Sequence, residues 1–379
     1  MSLALTSIYY TLLSIVTCPF CTAPEPTLAE RRETVDWVAI AEAGESLPPV
    51  TGKPALQRFT VHRVLKGDPL PLKPPMITIP AKVASGNLAL LFATRNEEPG
   101  LSATFEDQFS WQATAVDETS LAYFVKAPDL RVPTAERLPY FVRFLEHANA
   151  TIAADAYSEF GRAPFDAVTK VAGDLPMDIF RKRLIDPEVP GERKGFYGLA
   201  LGLARSEVDK KANAAALRGV IEQPASDFRA GFDGVLGGLL VLEGTQGLDL
   251  LDRRILGNPA AARGDVLHAV TALRFYYEYG TVIPKPRLAV SMARLLARPD
   301  CAAVATIDLA RWQAWDQLPQ VEKLWPEAKD DRQLQRAIIG FLLACPTPEA
   351  RTRLATIRRD QPEVVAEMEK GSLGLGLGR

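Results

Sequence analysis

Six prolines, Pro187, Pro224, Pro259, Pro299, Pro326 and Pro362, punctuate the second half of this chain at steps of 37, 35, 40, 27 and 36 residues. Each follows a short apolar stretch with helical spacing, and each is followed by another. Proline has no backbone N–H and its ring clashes with the preceding turn, so these positions end helices rather than interrupt them. A period in this range marks stacked helix pairs. The first helix of each pair is rich in Gly, Ala and Leu, over 195–204, 228–242, 264–279, 301–312 and 332–344. Each second helix is shorter and ends near a proline. Start signals agree: Ser206-x-x-Asp209 resembles a capping box, and Thr347-Pro348-Glu349 orders a cap, a first-turn proline and an acid. Ahead of the repeats, Thr134 caps a predicted helix to about His147, with Leu138, Phe141, Val142 and Leu145 on one face.

Residues 36–126 read as β. The stretch 58–65 alternates, with Phe59, Val61 and Val64 inward and Lys66-Gly67-Asp68 as a turn. Short strands are predicted over 36–41, 76–79 and 87–93, and a pair over 108–116 and 121–126. The proline-rich stretch 67–80 is mostly loop. Five to seven short strands without an intervening helix predict a small barrel or sandwich. The expected fold class is α+β: a small N-terminal β-barrel or sandwich, then an α-α solenoid of about five or six helical pairs. The predicted boundaries are 1–22 for an export signal or N-terminal segment, 23–130 for the β domain, 134–365 for the helical repeats and 366–379 for a disordered Gly/Leu tail.

The order of the β pieces resembles the netrin-like, OB-type barrel shared by metalloproteinase inhibitors and complement tails. The residues that carry the likeness are Val35-Asp36-Trp37-Val38, Phe59-Thr-Val-His-Arg-Val-Leu-Lys-Gly67, Ile77-Thr-Ile79, Ser85-Gly86 and Leu88-Ala-Leu-Leu-Phe92, over about 18–126. Ser85 stands where that family has a disulfide cysteine, and the N-terminal motif is Cys-x-x-Cys rather than Cys-x-Cys. The resemblance therefore implies the fold and speaks against protease inhibition through an N-terminal cysteine. The helical pairs, over about 150–362, resemble HEAT-type hairpins as a class.

Charge and cysteine usage exclude several functions. Net charge is −2 over 379 residues. Residues 1–133 carry 11 Lys/Arg against 14 Asp/Glu, and the rest 33 against 32. Neither part is polybasic, so general capture of nucleic acid or of an anionic membrane is not expected. Four Cys and three His cannot make a disulfide scaffold or enclose a structural zinc, and no cofactor or metal is expected. The first 17 residues carry no charge, and 3–16 is largely apolar and too short to span a bilayer comfortably. Three readings stand for this stretch: an export signal without a basic n-region, an ordered strand or helix, or a start assigned too early. On the export reading the protein is periplasmic or in the cell envelope, otherwise cytoplasmic; any membrane attachment is through this segment, with Cys18 as the lipidated position and Thr17 a poor residue before it.

Cys18-Pro-Phe-Cys21 reads as a local disulfide, half of a metal site, or a redox centre. The last needs a helix after the motif, which Thr22-Ala-Pro-Glu-Pro26 opposes. A shift of 36 residues places Tyr276 on Trp312 and Tyr279 on Trp315, each an i, i+3 pair. With Arg274 beside them they form a candidate interaction surface for a peptide, glycan or base; packing between repeats is the competing explanation. Arg253, Arg254, Arg263, Arg274, Lys285, Arg287, Arg294 and Arg298 offer a phosphate groove or a solvated face. Gly198, Gly202, Gly231, Gly234, Gly237 and Gly238 lack a following Gly-Lys-Ser/Thr and are expected to let helix backbones approach. His62, His147 and His268 have no metal or base-pair spacing. No catalytic motif emerges. The expected function is a non-catalytic scaffold binding a protein or peptide on the repeats; the alternatives are an enzyme with a site between the domains, or nucleic-acid binding through the basic repeats.

Overall fold

The computed structural model describes residues 26–48, 55–69, 75–97, 104–223 and 229–372. Cys18, Cys21, Pro224 and the tail 373–379 lie outside the described residues. The protein is α+β: an antiparallel sheet curled into a half-barrel, followed by helices. The chain divides into two compact units, Met1–Leu175 and Pro176–Arg379.

In the first unit, Thr27 caps α1 (Leu28–Thr34) through a reciprocal capping box with Glu30. Strands β1 (Trp37–Ser46), β2 (Leu56–Lys66), β3 (Met76–Pro80), β4 (Leu88–Arg95) and β5 (Phe109–Val116) make one sheet in the order β3-β2-β1-β4-β5, all neighbours antiparallel. Three register shifts in the β1–β2 pairing bend the sheet. Ala39, Ala41 and Ala43 on the concave side leave room for Phe59, Ile77 and Ile79. At one end Trp37 packs edge-on against Trp111, at 5.4 Å between centroids. Phe59 and Val61 point inward as their alternation predicts, and Val64 is partly buried. His62 is exposed, with Nε2 3.4 Å from Glu42 Oε2, a carboxylate brought beside it by the neighbouring strand.

The stretch 121–126 is helical, not a strand: α2 spans Glu118–Lys126. Leu121-Ala-Tyr-Phe-Val125 has strand-like composition, but Asp117 Oδ1 accepts from Ser120 N at 2.6 Å and starts a helix, which then buries Tyr123 and Phe124. The next helix, α3 (Thr134–Val142), has Pro133 rather than Thr134 at its cap and stops short of His147. Then come α4 (Ala150–Arg162), capped by Asn149, and α5 (Phe165–Lys170). Asp155 on α4 ties three helices together. Its carboxylate accepts from Tyr123 Oη at 2.6 Å and from Leu28 N at 2.7 Å. Arg137 meets Glu159 one turn away. Burial pushes the Asp155 carboxyl up, and outweighs Arg137 to push Glu159 up to about 6.

The second unit holds α6 (Met177–Ile185), α7 (Gly191–Gly202), α8 (Glu207–Glu222), α9 (Phe232–Glu243), α10 (Thr245–Leu251), α11 (Arg263–Tyr279), α12 (Lys285–Ala293), α13 (Ala302–Arg311), α14 (Leu318–Lys323), α15 (Arg332–Ala344), α16 (Pro348–Asp360) and α17 (Pro362–Ser372). Pro187, Pro259, Pro299 and Pro326 fall between helices, and Pro362 opens α17. Ser206 and Thr347 cap α8 and α16 as their motifs predict, accepting from Asp209 N and Ala350 N.

The glycines of α7 and α9 are packing devices. A Cβ built on Gly238 would lie 2.0 Å from Gly198 O, and one on Gly202 would lie 2.4 Å from Gly238 O. One on Gly198 would meet the Val235 backbone at 2.6 Å. No side chain larger than hydrogen fits, so the two backbones touch directly. Among the described residues, no helix is long and apolar enough to cross a membrane.

Candidate functional site

The structure gives the predicted aromatic pairs different partners from those the 36-residue shift implies: Trp312 meets a ring of α11, whereas Trp315 meets a ring of α15. Tyr276 is buried. Its hydroxyl accepts from Val282 N and Ile283 N at 3.2 and 3.3 Å, so it closes the end of α11. Its ring covers Gly280, where a Cβ would collide at 2.2 Å. Tyr279 packs on Phe275 of its own helix, at 5.3 Å between centroids. The residue that meets Trp312 is Tyr277, 35 positions earlier: the rings stack at 4.3 Å, 2° from parallel. Tyr277 Oη also donates to Trp312 O at 3.3 Å, and Lys285 Nζ lies 4.4 Å from the Tyr277 ring.

Trp312 and Trp315 do not share a helix face, because α13 ends at Arg311. Gln313 adopts φ 54, the one positive-φ residue other than glycine among the described residues. Gln313 N donates to Ala310 O at 3.1 Å and Ala314 N to Leu309 O at 2.9 Å. That is a Schellman termination with Gln in the place usually held by glycine. The short step from Pro299 to Pro326 thus contains a chain reversal in the middle of what the sequence reads as continuous aromatic periodicity. Beyond it, Trp315 packs edge-on against Phe341 of α15, at 5.2 Å and 80°.

Arg274 serves α13 directly. Its Nε donates to both oxygens of Asp308, at 3.0 and 2.8 Å. The Asp308 side chain is only 2% exposed. Burial pushes its carboxyl up, against the opposing pull of Arg274 and Arg311. The other predicted cations are largely paired. Arg287 bonds Asp249 and Asp252, Arg294 Nε lies 3.4 Å from Asp252, and Arg298 forks onto Asp300. Part of a run that looks basic along the sequence is thus paired with carboxylates: Arg274, Arg287 and Arg294 across helices, and Arg298 within its own loop.

Between α13 and α15 lies a cavity of about 290 Å³. One wall is Ala303, Val304, Ile307 and Ala310 of α13; the other is Ala337, Gly340 and Phe341 of α15. Arg311, Gln333 and Arg336 form the polar rim, and no carboxylate lines the cavity. Phe341 of this lining is the ring that Trp315 packs against edge-on. The lining positions recur three and four apart on both helices, so each helix presents one stripe. Sequence reasoning placed both helices but passed over this groove. The available signal was Gly340, a glycine in the interior of a strongly amphipathic helix. A second cavity, of about 330 Å³, lies at α7 and α9, but Gln223 and Arg229 on its wall flank residues 224–228, outside the described residues.

Among the described residues, no three His, Cys, Asp or Glu gather in a position to hold a metal ion. His147 Nδ1 accepts from Asn149 N at 3.0 Å, and His268 Nδ1 lies 3.7 Å from Asp233 Oδ1. Compared with protein-family models, with curated proteins and with solved structures, the chain matches none.

Proposed function

We propose that this chain is a non-catalytic interaction scaffold, in which α6–α17 act as a short α-α solenoid and hold a protein segment on their surface. The observation that carries the reading is the apolar groove between α13 and α15, walled by Val304, Ile307, Ala337 and Phe341 and bordered by Arg311 and Arg336. The stacking logic is supported by ion pairs that join positions about one repeat apart: Arg229 with Asp265, Arg274 with Asp308, and Arg287 with Asp252. In a stack of this kind each repeat contacts its neighbours, leaving extended surfaces to a partner.

The test is affinity capture from native extract with the full chain, compared with a Gly340→Trp variant that fills the groove. The expected result is a stable partner retained by the parent and lost by the variant. Equal capture by both would overturn the groove as the binding surface. The same proposal places the protein outside the cytoplasm, with residues 1–17 removed. The intact mass of protein from its native host tests this, and also reads lipid on Cys18 or a Cys18–Cys21 disulfide; an unprocessed mass with free thiols would overturn it.

A further inference from the structure

Resting on the scaffold reading and extending it to the partner's chemistry, we propose that the α13/α15 groove takes an acidic amphipathic helix of a partner protein. Its aliphatic face would lie over Gly340 and its carboxylates against Arg311 and Arg336. The first ground is Gly340 itself. A Cβ built there meets no atom within 4 Å, although the residue is buried. Helix interiors disfavour glycine. At Gly198, Gly202, Gly234 and Gly238 a neighbouring backbone fills the space. At Gly340 nothing in the described chain does. Gly219 also meets nothing, but it sits on the exposed side of α8. A glycine on the floor of an empty groove lets a second backbone come close.

The second ground is shape. The lining stripe on α13 runs from Ala303 to Arg311 and that on α15 from Gln333 to Phe341. Each covers about two helical turns, or roughly 12 Å. A third helix seats in such a seam through anchors at i, i+3, i+4 and i+7.

The third ground is charge. Asp308, the one acid of α13, is buried beneath Arg274 and also lies 3.8 Å from Arg311, so one buried carboxylate is shared by two cations and the groove edge keeps an excess of positive charge. Helix α15 carries Arg332 and Arg336 and no acid. Arg332 reaches Glu367, while Arg336 is exposed at the groove. A partner helix bearing carboxylates is matched here, and one bearing lysines is repelled.

The experiment uses the full chain and two labelled synthetic peptides of about fourteen residues, both with leucines at i, i+3, i+4 and i+7. One carries glutamates beside the leucines; in its twin, lysines replace them. Fluorescence anisotropy reads binding. The acidic peptide should bind about tenfold or more tightly than its twin at low salt, with the gap closing as salt rises. Gly340→Trp should abolish binding. The double variant Arg311→Glu/Arg336→Glu should favour the lysine twin; because Arg311 also pairs with the buried Asp308, circular dichroism checks that the variant is folded, and Arg336→Glu alone should narrow the gap between the two peptides. Equal binding of the two peptides, or tighter binding of the lysine twin, overturns the acidic partner and leaves the groove as a binding surface. Binding of neither, or binding that Gly340→Trp does not alter, overturns the groove as well. A dimer of the chain that Gly340→Trp dissolves assigns the groove to a second copy and overturns the proposal.

Discussion

The α7/α9 crossing and the α13/α15 pair each bring two helices side by side, and both carry glycine in the interior of a helix. At α7/α9 the glycines are consumed by packing: Gly198 and Gly238 lie against the partner backbone with no room for a methyl group. At α13/α15 the glycine faces a cavity bordered by cations. The same residue type, disfavoured in helices to a similar degree, is compensated internally in one place and left uncompensated in the other. A helix glycine with a backbone in front of it is therefore explained by the fold. One with empty space in front of it is not explained by the packing of the described residues, and the docked helix proposed above would supply the missing neighbour.

Substitutions at these positions can break or sharpen the comparison. The largest effect is expected from Gly238→Val, which drives a branched side chain into Gly198 O; it should destabilise the second unit by about 3 kcal/mol or more in urea titration. A loss below about 1 kcal/mol would mean that the crossing is not close-packed. Next, Arg274→Ala should lose about 2 kcal/mol by leaving the Asp308 carboxylate buried without its main partner. The sign with pH follows from the raised carboxyl. Because the folded chain holds the Asp308 proton more tightly than the unfolded chain, stability falls as pH rises from 3.8 towards the folded-state value. Removing Arg274 moves that folded-state value further up, so the fall should deepen and reach higher pH. A variant with the pH profile of the parent would contradict this.

Gly340→Ala should act in the opposite direction from changes at Gly238, raising stability by about 1 kcal/mol through helix propensity alone. Thermal unfolding that drops instead would place a neighbour at Gly340 and erase the contrast. The smallest effect is expected at Gln313, whose left-handed conformation suits glycine better. Gln313→Gly should gain about 0.5 kcal/mol, since relief of strain is partly offset by a freer unfolded chain. An unchanged denaturation midpoint would show that the Schellman turn holds Gln without strain.

Much of the helical half is legible in the sequence because its signals are local. Arg332–Ala344 has the predicted bounds, and Ser206 and Thr347 cap the predicted helices. The β strands were legible for the same reason, since alternation at Phe59 and Val61 reports which face is buried. Misreadings came where a single residue outweighed composition. Asp117 turns a strand-like run into α2, and Gln313 separates Trp312 from Trp315. The aromatic register missed by one residue because periodicity fixes spacing only to within a residue, whereas ring stacking selects Tyr277 over Tyr276.

The sequence by itself determined that this chain is α+β, where several of its helices begin and end, and that its net charge is close to zero. Those properties follow from period, caps, prolines and composition, which act over a few residues or sum over all of them. Only the tertiary structure decided that Arg287 and Arg294 of the basic run share Asp252, that Arg274 is bound to Asp308, and that Gly198 and Gly340 differ. Each of these depends on what lies opposite a residue across a helix pair, about 35 positions away, and local pattern carries no record of that distance.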